Sequence, residues 1–196
     1  DQVSKRTTAF GGTVVICPSI PFLAAVAAKI KGANHNLKLG SQNVSQFEQG
    51  PYTGEFAAPQ ISSLCQYVII GHSERRQNFA EGDEILAKKI QNAKASGVSP
   101  IYCVKDENAP IPQGVDLVAY EPISAVGTGN PDTPENARSV AQKLKAKGNY
   151  TVIYGGSVTG ENVSGFLKKD VIEGVLVGNS SLDPESFIDI IESASI

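Results

Sequence analysis

Hydrophobic positions along this chain fall into two alternating patterns. Short continuous apolar runs predict parallel strands covered on both faces, at residues 13–17, 37–43, 67–70, 99–104, 117–120, 151–154 and 175–177. Between them, apolar residues recur at helical spacing. Pro21 suits the first turn of a helix in which Phe22, Leu23, Val26 and Ile30 share a stripe that stops at Gly32. Ile61 and Leu64 mark a short helical segment, and Ile85, Leu86, Ile90 and Ala93 line a helix over 84–95 that Gly97 ends. Thr133 caps and Pro134 opens a helix with Ala137, Val140, Ala141 and Leu144 inward; Val163, Phe166 and Leu167 do the same over 161–168. Asp183 and Pro184 open the last helix, with Phe187, Ile188 and Ile191 on its buried face, while Val3 and Phe10 are inward positions of a short first helix.

Strands alternating with helices imply a parallel sheet, which is either an open doubly wound layer or a closed barrel. An open sheet gathers its site at one switch in strand order, whereas a barrel brings the carboxyl ends of many strands to one mouth. Here polar residues and glycines follow several different strands, which favours the barrel. One connection departs from the alternation. Between the runs 99–104 and 117–120, the segment K-D-E-N-A-P-I-P-Q-G contains two prolines and a glycine, too many helix breakers for a full crossover helix.

Composition narrows the class further. A chain of 196 residues with 41% hydrophobic content builds one sizeable domain, expected to span 1–196. A formal charge of -3 with dispersed lysines and arginines argues against nucleic acid as a partner. The first ten residues lack a signal peptide's hydrophobic centre, and no apolar run reaches membrane-spanning length, so a soluble, cytoplasmic protein without a membrane partner is expected. Cys17, Cys65 and Cys103 are odd in number and far apart, which reads as reduced, buried thiols. Neither G-x-G-x-x-G after the first strand nor G-x-x-x-x-G-K-[ST] occurs, so dinucleotide and nucleoside triphosphate binding have no motif support.

Four strand-end features remain: His72 in G-H-S-E, Glu121 in Y-E-P, Gly155-Gly156-Ser157 and Gly178-Asn179. At a barrel mouth His72 and Glu121 would form an acid/base pair, and neither has the neighbours of a metal site. Bare backbone N–H groups at Gly127, Ser157, Gly178 and Asn179 would surround a phosphate dianion. The bland reading is that these glycines only turn strand into helix and that one histidine after a strand is structural. The other histidine, His35, sits in a polar G-A-N-H-N turn that suggests exposure. Pro122 and the small residues up to Gly127 and Gly129 give the stretch after Glu121 the character of a closing lid.

Taken in order, I-I-G-H-S-E-R-R, A-Y-E-P-I-S-A-V-G-T-G, Y-G-G-S-V and L-V-G-N-S-S-L closely resemble the triosephosphate isomerase family, over nearly all the chain from Thr13 onward. The resemblance implies a (β/α)8 TIM barrel, here with the first strand missing and with a shortened crossover between the fifth and sixth barrel strands. It implies interconversion of dihydroxyacetone phosphate and glyceraldehyde 3-phosphate in glycolysis and gluconeogenesis, without cofactor or metal. By motif match Glu121 would be the base and His72 a neutral imidazole that polarises the carbonyl. Gly127, Ser157, Gly178 and Asn179 would bind the phosphate, Ser73 and Glu74 would be supporting residues, and the loop 46–55 would interlock a homodimer. Departures accompany the match: the family's N-x-K motif is not found, Asn179 replaces a glycine, and Lys105, at a strand's carboxyl end where it could offer a cation, reads more readily as a solvated lysine. The competing class is a catalytically silent phosphate-binding or assembly barrel that lacks the lysine.

Overall fold

The computed structural model describes residues 2–33, 36–122 and 130–194, which form two compact units. The first comprises Gly12–Tyr102 and Pro110–Val115, the second Asp1–Gly11, Cys103–Ala109 and Asp116–Ile196. Helix α1 (Gln2–Arg6) belongs to the second unit. The first unit then carries β1 (Val14–Ile16), a 3-10 turn at Ile20–Phe22, α2 (Leu23–Ile30), β2 (Leu37–Ser41), α3 (Ala58–Ile61), β3 (Tyr67–Ile70), α4 (Ser73–Asn78) and α5 (Asp83–Ala95). Strand β4 (Ser99–Val104) runs from the first unit into the second, which continues with β5 (Leu117–Tyr120), α6 (Pro134–Lys145), β6 (Thr151–Tyr154), α7 (Val163–Phe166), a 3-10 turn at Asn179–Ser181 and α8 (Pro184–Ser193).

Within the first unit β1 pairs with β2, β2 with β3 and β3 with β4, all parallel. Within the second, β5 and β6 are parallel, with Leu117 opposite Thr151 and Tyr120 opposite Tyr154. Successive residues of β3, Val68, Ile69 and Ile70, are all buried, as a strand covered on both faces requires. Helices supply the cover. In α5, Leu86, Lys89, Ile90 and Ala93 form the buried face, and each fully buried leucine or isoleucine contributes roughly 1.5–3 kcal/mol of transfer free energy. Helix α6 begins as its sequence dictates: the Thr133 side chain accepts the Asn136 N–H at 3.2 Å, Pro134 needs no amide partner, and Ala137, Val140, Ala141 and Leu144 are buried. Asp183 caps α8 in the same way, accepting the Ser186 N–H at 2.8 Å. Arg6 of α1 reaches across to Glu185 at 2.8 Å and Glu192 at 3.0 Å on α8.

The connection between β4 and β5 has no helix, in keeping with its prolines. Side chains hold it instead. Within the second unit Lys143 bonds the Glu107 carboxylate at 2.9 Å and Lys147 the Glu107 carbonyl. Within the first, the Tyr102 hydroxyl donates to the Pro110 carbonyl at 3.3 Å.

Several expectations need correction: Val3 and Phe10, expected inward, and Cys17, expected buried, are only half-buried. The run 175–177 forms only an isolated bridge, Tyr154 to Val175, held by Tyr154 N–H on the Gly174 carbonyl and Leu176 N–H on the Tyr154 carbonyl, before the chain enters the turn after Gly178. Strand β2 ends at Ser41 rather than 43, where the Ser41 hydroxyl donates to the Asn43 carbonyl at 2.6 Å and turns the backbone. Phe22 lies in the 3-10 turn and is 61% exposed, so of the predicted stripe only Leu23 is buried. Among the described residues no helix is long and apolar enough to cross a membrane.

Candidate functional site

Glu121 follows β5 directly and is 3% exposed. Its N–H donates to the Val104 carbonyl at 2.8 Å, extending the ladder one residue past the strand, and the Gly155 N–H donates to the Tyr120 carbonyl at 2.8 Å on the other side. Gly155 is there for want of a side chain. A Cβ on it would stand 2.8 Å from Glu121 Cγ and 3.6 Å from Glu121 Oε1, so the carboxylate occupies space that any other residue would fill.

Around this carboxylate the second unit builds a polar and aromatic frame. The Tyr120 hydroxyl donates to Asp132 Oδ2 at 3.1 Å, and the Asp132 N–H donates to the Tyr154 hydroxyl at 2.9 Å. Tyr154 stacks on Phe166 with ring centroids 4.1 Å apart. Burial, and after it the charge of Asp132, pushes the Tyr120 phenol well above its ordinary range, and burial does the same to Tyr154.

The same unit holds Ser157, Gly178 and Asn179. The Ser157 carbonyl accepts the Asn162 side-chain amide at 3.1 Å, and the Ser180 hydroxyl ties the 3-10 turn to the preceding loop by donating to the Val158 carbonyl at 2.9 Å. Gly178 precedes that turn, and a Cβ on it would meet nothing within 4 Å. Asn179 is the turn's first residue and exposed. Among the described residues, positive φ outside glycine occurs at Ala80 and Asp170, so Asn179 does not use the left-handed tolerance that sequence reasoning allowed it. Gly127 and nearly all of the lid lie outside the described residues, as does His35.

In the first unit His72 follows Gly71, whose φ of 79° makes the sharp turn out of β3. His72 is the N-cap of α4, and its Nδ1 accepts the Glu74 N–H at 3.4 Å. Ser73 starts the helix, and the Glu74 carboxylate is exposed, 3.9 Å from Nδ1. Lys105, in the second unit, is 62% exposed and stands 3.9 Å from Asp106, the geometry of a solvated lysine.

Two charged groups escaped sequence reasoning. Asp132 has no motif of its own, and its role comes from tertiary partners. Lys89 is 3% exposed and bonds Glu81 at 2.6 Å and Asn43 at 2.7 Å, with Arg75 also on Glu81 at 2.6 Å. The available signal was its place: Lys89 shares the helical stripe of Leu86, Ile90 and Ala93. Burial raises the Glu81 carboxyl, but Arg75 and Lys89 outweigh it and hold the group below its usual range. This network lines a cavity of about 340 Å³ in the first unit together with Phe47, Tyr52 and Phe79.

Comparison with known proteins gives one consistent match. The family model described as triosephosphate isomerase matches residues 1–116 and 113–194. A protein of that name from Alcanivorax borkumensis is 38% identical over 214 residues, covering 92% of this chain and 85% of its own length. One from Aquifex aeolicus is 36% identical over 212 residues, with the same two coverages of 92% and 85%. Among solved structures, triosephosphate isomerase from Bartonella henselae superposes with a TM-score of 0.85 at 25% identity, covering 98% of this chain and 90% of that one.

Proposed function

The chain belongs to the triosephosphate isomerase family and matches its TIM-barrel fold with parts of the barrel missing, and from that premise we propose that it interconverts dihydroxyacetone phosphate and glyceraldehyde 3-phosphate through an enediolate. The observation that carries the reading is Glu121, a carboxylate buried at a strand's carboxyl end with Gly155 making room for it. In this reading Glu121 removes the proton from one carbon and returns it to the next. Its burial shields the enediol phosphate, which could otherwise lose its phosphate, from bulk water. His72 polarises the carbonyl and relays protons between the enediolate oxygens. Backbone N–H groups of Ser157, Gly178 and Asn179, with Gly127, hold the phosphate dianion. Ser73 and Glu74 support His72 from the first turn of α4.

The same reading makes the chain one cytoplasmic domain of glycolysis and gluconeogenesis that works as a homodimer through the loop 46–55. In support, Phe47 and Tyr52 of that loop stack at 4.1 Å and stay partly exposed, and with Phe79, which is 63% exposed, they line the 340 Å³ cavity. Shortening residues 49–54 is expected to give monomers with impaired activity, and an unchanged dimer by sedimentation counts against the interlocking role.

The test of function is a coupled assay on purified protein. Turnover of glyceraldehyde 3-phosphate that falls by roughly a hundredfold or more in Glu121→Asp and His72→Gln variants supports the assignment. Binding of a phosphorylated enediolate mimic without turnover would instead identify a silent phosphate-binding barrel.

A further inference from the structure

Asp132 connects both strand ends that flank the Glu121 carboxylate. Its Oδ2 accepts the Tyr120 phenol at 3.1 Å and the Asn136 side-chain amide at 2.7 Å, its Oδ1 accepts the Thr133 N–H at 2.8 Å, and its own N–H donates to the Tyr154 hydroxyl at 2.9 Å. Tyr120 immediately precedes Glu121. Tyr154 immediately precedes Gly155, the residue packed against Glu121 Cγ. We propose that Asp132 is a positioning residue for the Glu121 base: its carboxylate holds the Tyr120 hydroxyl at the end of β5, while its backbone N–H bonds the Tyr154 hydroxyl at the end of β6. The inference rests on the isomerase reading and adds to it a residue that none of the matched motifs contains.

Three features favour positioning over ordinary capping. Helix α6 already has its cap in Thr133, so Asp132 is not needed to start the helix. Two donors on one oxygen and a third on the other fix the carboxylate's rotamer, and hydrogen bonds to an ionised acceptor are stronger than neutral ones. Both tyrosines are buried, and the stacking of Tyr154 on Phe166 stops its ring from turning away, so a shift of Asp132 is passed to the strand ends and not absorbed by side chains. The raised phenol of Tyr120 stays protonated and therefore remains a donor at neutral pH.

The experiment compares the full chain with Asp132→Ala, Asp132→Asn, Tyr120→Phe and the Asp132→Ala/Tyr120→Phe double variant. Expected is a roughly tenfold loss of kcat in Asp132→Ala and in Tyr120→Phe, with KM within about twofold of the parent and no further loss in the double variant. Asp132→Asn retains most activity because its amide oxygen still accepts. An undiminished kcat in Asp132→Ala, a change confined to KM, or losses that multiply in the double variant overturns the proposal, as a purely structural residue would lower stability without this pattern. A parent chain without turnover sinks the isomerase reading separately, and the positioning inference then rests on binding of phosphoglycolohydroxamate, an enediolate mimic. Roughly tenfold weaker binding in Asp132→Ala with unchanged inorganic phosphate affinity sustains it; equal or absent mimic binding overturns it.

Discussion

Replacing Gly155 by alanine tests how tightly the base is held. The new Cβ would stand 2.8 Å from Glu121 Cγ, whereas carbon atoms in contact settle near ~3.5–4.0 Å. Relief must come from the carboxylate. Tyr120 O, at 3.5 Å from the same Cβ, is already at an ordinary distance, and Gly155 has no positive φ for alanine to strain. Glu121 therefore retreats by about 1 Å, a displacement that costs roughly a hundredfold in rate when it moves a reacting group. Overpacking adds about 1–3 kcal/mol of destabilisation, so folding is to be confirmed by thermal melting before kinetics at 25 °C. Gly11→Ala, whose Cβ meets nothing within 4 Å, is the control and is expected to match the parent. Gly155→Ala activity within about twofold of the parent refutes the packing argument, since a displacement of that size in a positioned base has a larger effect.

Other consequences follow from the charge networks and caps. Lys89→Met leaves Glu81 with Arg75 but without its 2.6 Å ammonium partner, and urea unfolding is expected to show a loss of about 1.5–3 kcal/mol; a loss under about 0.5 kcal/mol contradicts the buried pair. Because the folded Glu81 carboxyl lies below its ordinary value of 4.5, its stabilisation is complete above that pH and is lost as pH falls through the lower folded value. Melting temperature should drop below about pH 4.5, and Glu81→Gln should flatten that limb. Asp183→Ala removes the acceptor of the Ser186 N–H and is expected to lower the midpoint of denaturant titration.

Helices whose ends are written in local chemistry were legible in the chain. Thr133-Pro134 and Asp183-Pro184 each place a side-chain acceptor and a proline where a helix needs them, and both helices start as predicted. Buried parallel strands were equally plain because both faces demand apolar residues. What escaped depends on partners distant in sequence. Lys89 looks like a solvated helix residue until Glu81 and Asn43 are placed beside it, and it takes buried space on the stripe where Ile85, expected inward, is only half-buried. Asp132 gains its meaning from Tyr120 and Tyr154, and Gly155 from the Glu121 side chain against it. The proposed site residues were read from motifs; the contacts around them were not.

Isomerisation followed by ¹H NMR in D₂O tests the central claim, that Glu121 carries a proton between adjacent carbons. Starting from dihydroxyacetone phosphate, the account predicts glyceraldehyde 3-phosphate bearing deuterium at the carbon that receives the proton, with the reaction and the exchange abolished in Glu121→Gln. Undiminished exchange in Glu121→Gln would contradict it.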